Sequence, residues 1–303
     1  MKILFLGSPY FAVKILKRLL QSSHNVVAVV TQSDKPSGRG QKLMPTQVKQ
    51  FATEKGIPVI SFDKLSQHLD EIEKIDYDIA VTASFGQILN EKFLSIAPCI
   101  NVHPSLLPKY RGATPIQSAL LSGDKVTGVS IMKVVRAVDA GDVIAQKQVK
   151  IEEDDDYTTL QEKLADVGGD MLVEVLDLFE KGQVKTFKQD DDKATFCRKL
   201  EKSDAFLDLN KTASEIVNQS RALCEMGVFL LVDGQRLKVS EIKNVSKDFQ
   251  NLKIGEVAPV KGRIILGCSD GAVEIGKCLS KNGKMVPAKD FLNGFSFEGK
   301  KIN

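Results

Sequence analysis

Asn101 and His103 stand two positions apart in Ile100-Asn101-Val102-His103-Pro104-Ser105-Leu106-Leu107-Pro108-Lys109-Tyr110-Arg111-Gly112. On an extended chain their side chains share a face. An amide donor beside a titratable imidazole suits a reaction in which negative charge develops on a carbonyl oxygen. The apolar run at 96–100 leads into the pair, which places it where a buried strand gives way to a loop. Pro104 and Pro108 fix φ and stiffen that loop, and Gly112 closes it. A lone Asn-x-His reads more simply as a strand end, so the chemical reading rests on the whole stretch.

Such residues need a scaffold. Residues 2–7 form a short, continuous apolar run ended by glycine, the pattern of a buried parallel strand. Val13, Leu16, Leu19 and Leu20 follow at helical spacing, and 26–31 reads as a second buried strand. This strand–helix–strand opening predicts a Rossmann-like α/β domain, a mostly parallel sheet with helices on both faces. Gly7 has no Gly-x-x-Gly after it, so no dinucleotide is expected. Further strands are expected at 57–60, 78–83, up to Val102, at 128–134 and at 143–149, with helices at 46–55 and 115–122. A long helix should begin near Thr158, with Gln161 completing a capping box, and stop at Gly182. Its apolar stripe reads as core.

The texture changes after a polar stretch at about 183–207. Short apolar runs then alternate with turns, and Asp233-Gly234 and Asp270-Gly271 are hairpin cues. Residues 1–185 are expected to form the domain carrying the chemistry, 186–207 a linker, and 208–303 a small C-terminal β-barrel of OB-like type.

Asn101-Val102-His103-Pro104-Ser105-Leu106-Leu107-Pro108 resembles the signature of formyltransferases that take a one-carbon unit from 10-formyltetrahydrofolate. In that family the Asn and His act with a downstream Asp in a Leu/Val-Asp-x-Gly context. Val138-Asp139-Ala140-Gly141-Asp142 stands at the matching place. The resemblance therefore implies a catalytic set of Asn101, His103 and Asp139, with 10-formyltetrahydrofolate as co-substrate and no metal. It also implies a folate site bordered by Ser105, Leu106, Leu107, Pro108, Gln87, Ile88, Leu89 and Asp142, with Gly7 to Tyr10 near the acceptor.

The family has several branches. Some members formylate a purine-pathway ribonucleotide, some hydrolyse formylfolate, some formylate amino sugars, and one branch formylates methionyl-tRNA. The Gly38-Arg39-Gly40-Gln41-Lys42-Leu43-Met44-Pro45 segment is similar to the insertion by which that last branch touches the acceptor stem. This favours methionyl initiator tRNA as partner, with Arg39 and Lys42 as tRNA contacts. An amino-sugar acceptor is the enzymatic alternative, and an RNA-binding adaptor without folate binding is the non-enzymatic one. The resemblance breaks after Arg221, where Ala222-Leu223-Cys224-Glu225-Met226-Gly227 replaces the family's Asn-Pro-Trp-Pro stretch, and the chain has no tryptophan.

Composition agrees with an ordinary globular protein of 303 residues, 43% hydrophobic and 27% charged. The net charge of +3 permits nucleic-acid binding without requiring it. From Lys253 onward nine Lys/Arg face five Asp/Glu, a modestly basic end. The five cysteines include no Cys-x-x-Cys, and the three histidines are scattered, so no zinc site is expected. Without a signal-peptide pattern or a membrane-length apolar run, a cytoplasmic monomer is expected.

Overall fold

The computed structural model describes residues 1–37, 42–249 and 251–302. They fall into two units, Met1–Pro115 with Val126–Ile151 and Leu160–Arg198, and Ile116–Lys125 with Glu152–Thr159 and Lys199–Asn303.

In chain order the strands of the first unit are β1 (Lys2–Gly7), β2 (Asn25–Gln32), β3 (Lys35–Ser37), β4 (Lys42–Met44), β5 (Val59–Phe62), β6 (Ile79–Ala83), β7 (Cys99–His103), β8 (Arg111–Gly112), β9 (Val126–Lys133), β10 (Val143–Lys150) and β11 (Phe196–Cys197). The helices up to this point are α1 (Tyr10–Leu19), α2 (Gln47–Glu54), α3 (Leu69–Ile72), α4 (Glu91–Leu94), α5 (Pro115–Leu121) and α6 (Tyr157–Glu180). The main sheet runs β10-β9-β7-β6-β1-β2-β5. Strands β7, β6, β1, β2 and β5 pair in parallel, whereas β9 is antiparallel to both β7 and β10. Ile3, Leu4, Phe5, Leu6, Ile79, Val81 and Ile100 are fully buried, as the unbroken apolar runs of β1, β6 and β7 require.

Helix α6 lies hard against the strand that carries Asn101 and His103. A Cβ added at Gly168 would come within 2.9 Å of Val102 Cγ1. Glycine is thus what lets the helix backbone approach β7. The expected Thr158 capping box is replaced by another cap. The helix starts at Tyr157, and Asp156 Oδ1 accepts from the Thr159 amide at 3.0 Å. An Asp one residue before the first turn satisfies that orphan donor, so the start moves upstream. The segment between β2 and α2 carries the antiparallel pair β3–β4.

The second unit contains α7 (Ala213–Ala222), β12 (Val228–Val232), β13 (Gln235–Asn244), β14 (Ile264–Cys268), β15 (Gly271–Leu279), β16 (Met285–Pro287) and α8 (Ala288–Phe291). Its strands pair antiparallel in the order β12-β13-β15-β14, with β16 on the free side of part of β15. Asp233-Gly234 joins β12 to β13, with both residues at positive φ. That is the type I′ geometry that Asp-Gly favours. Within this unit Arg221 donates to the Glu152 and Asp155 carbonyls, which anchors the end of α7 just before the 222–227 stretch where the resemblance breaks. Among the described residues no helix is long and apolar enough to cross a membrane.

Candidate active site

Strand β1 has β2 on one side and β6 on the other, so the chain reverses its direction of travel across the sheet there. In open α/β sheets ligands bind outside the carboxyl ends of the strands at such a point. Strand β7 is the next one over, in register Thr82↔Asn101 with β6.

Alternation along β7 puts the Asn101 and His103 side chains on one face, and both reach Asp139. Asn101 Nδ2 donates to Asp139 Oδ1 at 3.4 Å, and His103 Nδ1 lies 3.7 Å from Asp139 Oδ2. Thr82 Oγ1 donates to Asn101 Oδ1 at 2.8 Å, which turns the NH2 of the amide outward. His103 Nε2 sits 3.0 Å from the Tyr110 carbonyl. A carbonyl only accepts, so Nε2 carries a proton and Nδ1 is the nitrogen that faces Asp139. His103 is 3% exposed, and a charge there acts through little water.

Asp139 is held from the other side. Its Oδ2 accepts from the Gly112 amide at 2.9 Å, and its backbone is left-handed at φ +49°. Asp is among the few residues that tolerate that region. Gly112 has φ +122°, and a Cβ there would lie 2.2 Å from the Cys197 carbonyl oxygen. Only glycine closes the signature loop against β11 while aiming its amide at Asp139.

The loop between β7 and β8 is braced internally. Ser105 Oγ donates to the Lys109 carbonyl, and Ser130 Oγ donates to the Ser105 carbonyl. Leu107 packs with Met132 and Val143, and Gln146 donates to the Leu107 carbonyl at 2.7 Å. Ser105 and Leu107 are buried, while Leu106 and Pro108 are partly exposed. Gln87 is engaged by its side chain, accepting from the Leu65 amide and donating to the Phe62 carbonyl. Leu89 packs in the core with Phe93, and Ile88 is 77% exposed. Asp142 is half-buried and accepts from Thr186 Oγ1 at 3.3 Å. Lys42 is exposed on β4, and Arg39 lies outside the described residues.

Sequence reasoning passed over Thr82 and the Tyr110 carbonyl, which contact Asn101 and His103, and Arg111 and Gln189, which are hydrogen-bonded to each other, with Gln189 also donating to the Asp139 carbonyl. Arg111 had a signal, since it falls inside the signature stretch. Gln189 fell in the polar run after α6 and had none.

The Formyl transferase family profile matches residues 1–176, and the Formyl transferase, C-terminal domain profile matches residues 199–296. Among curated proteins, the methionyl-tRNA formyltransferase of Sulfurihydrogenibium sp. is 41% identical over 306 residues, 98% of each chain. That of Lactobacillus acidophilus is 39% identical over 298 residues, 96% of this chain and 95% of its own. Among solved structures, WlaRD, a sugar 3N-formyl transferase crystallised with dTDP and 5-N-formyl-THF, superposes with a TM-score of 0.65 at 22% identity, over 91% of this chain and 97% of its own. HypX from Aquifex aeolicus in complex with tetrahydrofolic acid gives a TM-score of 0.65 at 18% identity, over 97% of this chain and 48% of its own. At these identities the structural likeness shows the fold.

Proposed function

The chain belongs to the formyl transferase family, and from that premise we propose that it transfers a formyl group from 10-formyltetrahydrofolate to the α-amino group of methionine on initiator methionyl-tRNA, for translation initiation. The observation that carries this reading is the meeting of Asn101, His103 and Asp139 at a β7 strand end. It occurs in a chain 41% identical, across 98% of its length, to a methionyl-tRNA formyltransferase. The folate ligands named with the solved relatives support the donor half.

The residues divide the chemistry as follows. The methionine amine attacks the formyl carbon and a tetrahedral oxyanion forms. The Asn101 NH2, aimed by Thr82, donates to that oxygen. His103, with Nε2–H held by Tyr110 and a second proton on Nδ1, adds positive charge where water is scarce. Asp139 orients the imidazole and takes the amine proton, directly or through a water. Collapse then breaks the bond from the formyl carbon to the folate nitrogen, which leaves with a proton. Ser105 to Pro108 and the 138–142 backbone border the folate in this reading, with Gln87, Ile88, Leu89 and Asp142 around the ring. Arg39 and Lys42 contact tRNA.

The test mixes the purified protein, 10-formyltetrahydrofolate and methionyl initiator tRNA, and scores formyl-methionine on the tRNA beside a His103→Ala variant. Formylation by the parent, with rate reduced about 10²- to 10³-fold in the variant, is the expected result. Folate binding without tRNA formylation would overturn the acceptor and point to an amino sugar nucleotide.

A further inference from the structure

Gln189 lies in the polar run after α6, yet its side chain joins two loops of the site. Its Nε2 donates to the Asp139 carbonyl at 2.9 Å and to the Gly141 carbonyl at 2.7 Å. Its Oε1 accepts from Arg111 Nε at 3.0 Å and Arg111 Nη2 at 2.9 Å. Both amide hydrogens and the amide oxygen are thus committed. Arg111, 5% exposed, also donates from Nη2 to Asp191 Oδ1 at 2.6 Å. A buried guanidinium needs such partners, and its fork fixes the amide in one orientation.

The consequence falls on Asp139. That residue is left-handed, a conformation that persists only where the surroundings over-determine it. Gly112 holds one carboxylate oxygen, and among the described residues Gln189 is the side chain that grips the Asp139 backbone. Asn101 and His103 reach Asp139 across 3.4 and 3.7 Å, distances at which a small rotation would break both contacts. We propose that Gln189, seated on the buried Arg111 guanidinium, is the positioning residue that sets the Asp139 carboxylate against His103 and Asn101. The catalytic consequence rests on the formyl-transfer reading, whereas the geometric one does not.

Two variants separate this role from plain structural support. Gln189→Glu keeps an oxygen for Arg111 and loses the donor to the two carbonyls. Gln189→Met keeps the volume and removes both ends without adding charge. Each is assayed for formylation of methionyl-tRNA and for melting temperature, and the Gly112 amide proton is followed by NMR. That proton donates to Asp139 Oδ2, so its resonance reports the carboxylate position whatever the enzyme's substrate. The expected result is a kcat lower by about 10²-fold, the scale of a misplacement of about 1 Å. KM for methionyl-tRNA stays close to the parent, both proteins remain folded, and the Gly112 resonance moves as it does in Asp139→Ala. A parent-like kcat and Gly112 resonance in Gln189→Glu would overturn the proposal. If the parent formylates no methionyl-tRNA, the functional reading fails and the Gly112 resonance still decides the positioning role.

Discussion

His103 receives its tautomer from a backbone carbonyl rather than from a side chain. The Tyr110 carbonyl holds Nε2–H, and Asp139 therefore meets Nδ1. Asn101 is oriented in the same indirect way, by Thr82 from the neighbouring strand. If Asn101 supplies an oxyanion donor, Asn101→Ala should lower kcat by about 10²- to 10³-fold while folate binding persists. Steady-state kinetics with a fluorescence titration of folate checks both halves, and an unchanged kcat would remove Asn101 from the mechanism. The cysteines divide at the same scale. Burial pushes the Cys278 thiol up to about 12 and raises the Cys99 thiol as well, whereas Cys224 is exposed. Thiolate is the reactive form. Iodoacetamide at neutral pH should therefore label Cys224 and spare Cys99 and Cys278, as mass spectrometry of the peptides would show.

Helix α6 connects the site strand to the outer layer. Along one edge it pairs Glu162 with Tyr10, Asp166 with Lys14, Asp170 with Arg18, and Asp177 with His24. Asp166 and Asp170 are more than half exposed, so such pairs orient the helix more than they stabilise it. The close approach at Gly168 matters more. Alanine would gain about 1 kcal/mol of helix propensity. It would also set a Cβ 2.9 Å from Val102 Cγ1, in a packed core where overfilling costs about 1 to 3 kcal/mol. Overpacking should win. Gly168→Ala is expected to be less stable in urea titration, with part of the loss recovered in a Gly168→Ala/Val102→Ala double variant. A neutral or stabilising Gly168→Ala would mean that the helix can move away from β7.

For the molecule as a whole, charge decides two outcomes. In the antiparallel unit Arg263 donates two hydrogen bonds of 2.8 Å to Glu274 and holds its carboxyl below the ordinary range. The folded state therefore binds this proton less readily than the unfolded chain. The stability it adds is present above the ordinary carboxylate pKa of about 4.3 and is lost as pH falls through the lowered folded value. Glu274→Gln should lower the urea midpoint near neutrality and converge with the parent in strong acid. A gap that stays constant with pH would assign the effect to packing. The second outcome concerns tRNA. If Lys42 neutralises a phosphate, Lys42→Ala should weaken binding and flatten the slope of log affinity against log salt by about one unit. An unchanged slope would exclude a phosphate contact there.

The sequence by itself carried the parallel sheet, the hairpin-rich second half and the candidacy of Asn101, His103 and Asp139, which the structure brings together. Short continuous apolar runs bounded by turn residues fit strands covered on both faces, Asp-Gly turns favour one hairpin geometry, and the candidate residues sit in one long, distinctive stretch. What the tertiary structure decided is how those residues are aimed. Thr82 pairs with Asn101 through sheet register, Tyr110 and Gly112 act through backbone atoms rather than side chains, and Gln189 arrives from 50 positions beyond Asp139. Local pattern encodes burial and turn chemistry, because those depend on a residue and its near neighbours. Hydrogen-bond partners distant in the chain are set only when the sheet and α6 have closed around the loops.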